Sequence, residues 1–115
     1  MNLVKNPFSN YRVTYGIVSH DTTQFKDYAR IDFYNGAKKV GQVLFGSSIS
    51  PGNNGAIVNV DEIHLFFPLS HFPNIIKVLR LGDRQPLALY LEMDEGTNVS
   101  RMGGIILEPH GLFGI

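Results

Sequence analysis

The side chains best suited to chemistry near neutral pH are four histidines, His20, His64, His71 and His110. A metal centre needs two or more ligands gathered at short spacing. Glu62 and His64 share a strand face at i, i+2, but no second histidine stands at a ligand spacing. The pair therefore reads as a hydrogen bond on a wet face, and no metal is expected. Ser19-His20-Asp21 has the letters of a hydrolytic triad, yet consecutive residues do not aim at one another as nucleophile, base and orienter. Ser and Asp are turn formers, so this segment reads as a turn. The neighbouring acids Asp61/Glu62 and Glu92/Asp94/Glu95 read as solvated strand ends that deter edge pairing. The absence of cysteine excludes disulfides, zinc ribbons and thiol nucleophiles. Gly103-Gly104 precedes a strand and not a helix, so it builds no phosphate-binding helix start. Nothing here supplies acid, base and binding groups together, so a non-enzyme without a cofactor is expected.

A different constellation lies on a sheet face. From Tyr28 to Tyr34 the chain alternates, with Ala29, Ile31 and Phe33 apolar and Tyr28, Arg30, Asp32 and Tyr34 amphipathic or charged. Period two buries one face and wets the other. Tyr90 likewise lies opposite Leu87, Leu89 and Leu91, and Lys38 and Lys39 stand at a hairpin end. Earlier in the chain either Arg12 and Thr14 or Tyr11 and Tyr15 face water. Tyrosines interleaved with cations can stack bases and meet phosphates, which makes Tyr28, Arg30, Tyr34, Lys38, Lys39 and Tyr90 candidates for single-stranded nucleic acid. The same residue types are ordinary on half-exposed strands and are favoured at protein interfaces. The net charge is zero, which argues against affinity built on phosphate neutralisation. It is a sum of unlike halves, however. Residues 1–50 carry an excess of three positive charges and residues 51–115 an excess of three negative ones. A basic patch must then be local.

The elements that would position these residues are mostly strands. Tyr11–Val18 is rich in aromatic and β-branched residues. Tyr28–Tyr34 and Lys39–Gly46 flank Asn35-Gly36, a pair suited to the positive φ angles of a tight hairpin. Ser47–Gly55 is a loop by composition. Ile57–Phe67 reads as one long strand stopped by Pro68. The period then changes: Leu69, Phe72, Ile76 and Leu79 fall at spacings of three and four with Ile75 adjoining, one helical stripe that predicts a helix over 70–81 with Ser70 as N-cap and Gly82 as a left-handed stop. Leu87–Asp94 and Gly103–Glu108 are further strands about a turn at Glu95–Asn98. The tail His110–Ile115 is apolar but glycine-interrupted.

The order is β-β-β-β-α-β-β. The sequence predicts one α+β domain over 1–115, a curled antiparallel sheet of about six strands with one amphipathic helix. At this length about two-thirds of the chain's surface is buried on folding, enough for one core. No signal peptide and no apolar run of membrane-spanning length is present, so a cytoplasmic protein is expected. One helix cannot cover six strands, so a homodimer is expected, built around Phe72, Ile75, Ile76 and Leu79 and the open sheet face.

The strand order, the segment Asp61-Glu62-Ile63-His64-Leu65-Phe66-Phe67-Pro68 and the Phe72–Leu81 helix together resemble the fold of the Whirly-type single-stranded-DNA-binding transcriptional regulators. The resemblance covers most of the chain at the level of topology. It implies a curled antiparallel sheet, a helix that helps to pack subunits, and single-stranded DNA as a partner. Two classes of function follow: a non-enzymatic interaction module that is a homo-oligomer, and a single-stranded nucleic-acid binder using an aromatic and basic sheet face.

Overall fold

The computed structural model describes residues 2–19, 25–46, 55–58, 62–83, 86–94 and 100–107. Its elements are β1 (Asn2–Phe8), β2 (Asn10–Ser19), β3 (Phe25–Asn35), β4 (Lys38–Gly46), β5 (Gly55–Val58), β6 (Glu62–Pro68), α1 (Phe72–Leu79), β7 (Leu87–Met93) and β8 (Ser100–Leu107). The fold is α+β with mostly antiparallel pairing. In place of one sheet of about six strands there are two, ordered β1-β7-β8 and β2-β3-β4-β6-β5. The pair β4/β6 is parallel. The stretch expected as one strand over 57–67 is divided: β5 and β6 pair antiparallel, with Ile57 opposite Ile63. Residues 47–54, 59–61, 95–99 and 108–115 lie outside the described residues, as do His20 and Asp21. The loop, turn and tail expected there fall wholly or mainly within them.

The β3–β4 hairpin forms where the sequence places it, but its turn is Gly36-Ala37 in place of Asn35-Gly36. Asn35 pairs with Lys38, leaving Gly36 and Ala37 as a two-residue loop. Gly36 takes φ +65 at the first central position, the left-handed backbone that the primed turns fitting strand twist require there. Ser9 ties the corner between β1 and β2 to this turn. Its N–H donates to Tyr34 O at 2.9 Å, and its Oγ accepts from Gly36 N–H at 3.0 Å. A nearly continuous run of strand thus passes from the small sheet into the large one at a pinned bend.

The two sheets face each other through their apolar rows. Ala29, Ile31, Phe33, Val43, Phe45, Ile63 and Leu65 of the large sheet and Leu87, Leu89 and Leu91 of the small one are fully or almost fully buried. Phe8 meets Phe33 with ring centroids 4.6 Å apart. A bulge between Phe33 and Tyr34 turns Val40 into the core. Asn6 Nδ2 donates to the Val40 carbonyl at 2.9 Å, which answers a backbone acceptor at the bulge. At Gly41 a leucine of the small sheet comes close to the backbone of the large one. A Cβ there would collide with the Ile63 carbonyl oxygen and with Leu89 Cδ1.

Helix α1 covers the other end of the same face. Phe72 packs edge-on against Phe45 at 5.1 Å, and Leu79 is buried. Phe72, Ile75 and Ile76 pack on the core cluster. The stripe expected at a subunit interface is therefore turned onto the chain's own sheet. The helix is shorter than expected and is flanked by 3-10 turns at Leu69–His71 and Arg80–Asp83. Ser70 lies within the first turn and does not cap α1, whose N-cap is His71 with no side-chain bond. Gly82 lies in the second turn, and Gly36 is the glycine that takes positive φ among the described residues. Pro73 occupies the first turn of α1, where its missing donor is harmless.

Gly41→Ala tests the close approach. The methyl must displace backbone as well as a leucine tip, so a destabilisation of about 2–3 kcal/mol is expected, read as a lowered midpoint in urea with an unchanged slope. An unchanged midpoint would show that the sheets do not meet at Gly41.

Candidate interaction surfaces

The register aligns the outward side chains of the large sheet into rows. Arg12 opposes Asp32, Asp32 opposes Gln42, and Gln42 stands beside His64, which opposes Ala56. An adjacent row runs Thr14, Arg30, Leu44 and Phe66. Tyr34 and Lys39 form the next. The middle row spans five strands, roughly 19 Å at the usual strand spacing.

Asp32 lies at the centre of these rows. The sequence places it on a wet face, but it is only 1% exposed. Alternation gave its side correctly; neighbours from two other strands bury it. Arg30 Nε donates to Oδ2 at 3.1 Å, and Lys39 Nζ lies 3.0 Å from Oδ1. Arg12 reaches Oδ2 at 3.9 Å from a side chain that stays 68% exposed. Lys39 also donates to Gln42 Oε1 at 3.1 Å. The contact between Lys39 Nζ and Oδ1 is an ion pair without hydrogen-bond angles, so Oδ1 is held by charge more than by a directed bond. A carboxylate removed from water requires such partners. Farther along the middle row His64 Nε2 meets Glu62 Oε1 at 3.2 Å, the neighbour bond the spacing implied.

Of the six residues expected to meet nucleic acid, Arg30, Tyr34 and Lys39 fall on this one face, with Lys38 exposed at its hairpin end. Tyr28 continues the same strand opposite Gly16, and its side chain lies outside the described residues. Tyr90 does not join them. It sits on the outward face of the small sheet, across the sandwich, with its ring over Gly104. Burial and then the Glu92 charge hold the Tyr90 phenol above its usual range. Its neutral form is therefore favoured by folding, and that contribution fades as pH rises above 10. Arg12 was an open alternative in the sequence and belongs to the cationic group.

The second surface is β2 itself. Tyr11, Val13 and Tyr15 are on the core side of the large sheet, opposite Phe33, Ile31 and Ala29, all three fully buried. Yet they are 41%, 41% and 56% exposed. Tyr11 touches Phe33 at 6.3 Å and Tyr15 touches Phe72 at 5.7 Å, which covers each ring on one side. Arg12 and Thr14 on the other side are exposed as well. Both faces of the strand are thus open, where the sequence offered one or the other. Among the described residues β2 is also the edge of its sheet, with β3 as its paired neighbour. Beyond Ala29, whose partner on β4 is Phe45, the β2–β3 pair continues to Ser19 and Phe25, a two-stranded ribbon among the described residues.

No helix among the described residues is long and apolar enough to cross a membrane, and no group of three His, Asp or Glu could hold a metal ion. No family model, curated protein or solved structure matches the chain.

The geometry around Asp32 ranks its partners. Lys39→Met removes the closer and less exposed charge and should cost about 1–3 kcal/mol. Arg12→Ala removes a distant and solvated one and should cost under about 0.5 kcal/mol. Chemical denaturation of both variants checks this order, and equal losses would contradict it.

Proposed function

We propose that the protein is a non-enzymatic interaction module, a homo-oligomer that works by receiving a partner strand along the open edge of β2. The observation that carries this reading is the exposure of Tyr11, Val13 and Tyr15 on a face where their partners on β3, Phe33, Ile31 and Ala29, are fully buried. A long edge strand presents unpaired backbone donors and acceptors, and strand addition satisfies them. Natural edges are protected by lysine, proline or shortness. β1 carries Lys5 and Pro7, and β5 runs four residues. β8 runs eight residues with Arg101 as its charge, and β2 is the longest edge, ten residues with Arg12 as its one charge and no proline.

Sedimentation of the native chain should give about twice 12.8 kDa. Val13→Lys, a charge on an already exposed edge, should give a monomer with an unchanged far-ultraviolet spectrum. A native chain that stays monomeric at high micromolar concentration sinks this reading.

A second reading has its own support. Arg12, Arg30 and Lys39 converge on one carboxylate beside Tyr34, with Lys38 at the hairpin end. Single-stranded nucleic acid would meet cations and an aromatic ring on one face, the partner that the sequence's resemblance to Whirly-type regulators implies. A labelled single-stranded oligonucleotide should then bind at tens of micromolar protein in about 50 mM salt and weaken as salt rises. Binding should fall when Arg12 and Tyr34 are both replaced by alanine. No binding at low salt removes this reading and leaves the first untouched.

A further inference from the structure

The inward face of β2 reads the same in both directions: Tyr11, Val13, Tyr15. Resting on the strand-addition reading above, we propose that the strand received by β2 is β2 of a second copy, antiparallel, with the two-fold axis through Val13. A two-fold interface must be self-complementary, residue by residue. This one is. Val13 meets Val13 of the partner subunit. Tyr11 meets Tyr15 of the partner subunit, and Tyr15 meets the partner's Tyr11. Aromatic pairs directly across a ladder are among the stabilising cross-strand pairs. On the outward face Arg12 meets Thr14 of the partner subunit. Arg12 is the one charged residue of β2, so this axis sets no like charges opposite each other.

The paired stretch, residues 10–16, is the part of β2 whose partners on β3 run from Tyr34 to Tyr28. From Ala29 onward those partners are backed in turn by β4. The ladder therefore forms on a supported strand and not on the free ribbon. Two five-stranded sheets become one of ten strands, and the rows that hold Arg12, Asp32 and Gln42 in each copy face the same way. An axis through Thr14 would instead set Val13 against Tyr15 of the partner subunit and Tyr11 against the partner's Ile17, losing both tyrosine pairs.

The chain has no cysteine, so one introduced thiol reports the register alone. Directly opposed residues in an antiparallel pair have Cα atoms about 4.5–5.5 Å apart, within disulfide reach. Val13→Cys, treated with a mild two-electron oxidant, should become mostly a disulfide-linked dimer. Thr14→Cys should not. Its two copies stand two residues out of register, with Cα atoms about 8 Å apart, past the limit of about 7 Å. A mixture of Tyr11→Cys and Tyr15→Cys chains should cross-link as a heterodimer, with neither linking when oxidised by itself. Sedimentation of each reduced variant shows whether it still assembles. A dimer by sedimentation in which Val13→Cys fails to link, or Thr14→Cys links as readily, overturns the Val13 register while strand addition stands. Reduced variants and a native chain that all sediment as monomers overturn both.

Discussion

Among the described residues three strands and one short helix cover the inward face of five strands, and they do not reach across it. Adjacent strands lie about 4.8 Å apart, so the large sheet is roughly 19 Å from edge to edge and the small one roughly 10 Å. The small sheet lies over the middle of the large one, where Phe8 meets Phe33, Leu89 reaches Gly41, and Leu65 and Leu91 crowd over Gly103. Helix α1 fills one end through Phe72 on Phe45. What remains is β2. Its tyrosines each lean on one aromatic neighbour of the core and show the other side to water. The exposure of β2 is thus a shortage of cover, set by the number of strands in each layer.

The opposite face of the large sheet solves a different problem. Alternation sends Arg30, Asp32 and Tyr34 outward from β3, and pairing with β2 and β4 brings Arg12 and Lys39 alongside. Long cationic side chains fold over the shorter carboxylate and exclude water from it. The aspartate is buried by charged groups, where a core residue is buried by apolar ones. Lys39 ties β4 to β3 on the polar side, Arg12 of β2 stands at the margin of that group, and Tyr15 on Phe72 holds β2 on the apolar side.

Much of this could be read from the chain, and the misses share a cause. The Tyr28–Tyr34 alternation identified Ala29, Ile31 and Phe33 as core, and Asn35-Gly36 located the hairpin. Leu87, Leu89 and Leu91 were also read correctly as one buried face. Period two reports which side a residue is on and not how deep it sits, so the burial of Asp32 depended on neighbours from other strands. The same holds for Tyr90. It was grouped with Tyr28 and Tyr34 because both strands alternate, but alternation does not say that β7 and β3 belong to different sheets. β1 was invisible because Pro7 and Lys5 interrupt its pattern. It is a strand because β7, more than eighty residues later, pairs with it from Asn2 to Phe8. The helix stripe was legible, but its destination was not. A stripe of Phe72, Ile75, Ile76 and Leu79 looks alike whether a partner or the chain's own sheet receives it.

The lengths of the two borders of the large sheet decide how far assembly can go. Ten residues of β2 form one border and four residues of β5 the other. In the proposed pairing each β2 is consumed by its counterpart and becomes an interior strand. The enlarged sheet is then bounded on both sides by β5, too brief to template another addition. Growth ends at two copies because the contact is isologous; a head-to-tail union of unlike borders would have continued into a fibre. A strand that would be a nucleus for aggregation in a lone chain becomes, in the pair, the place where polymerisation stops.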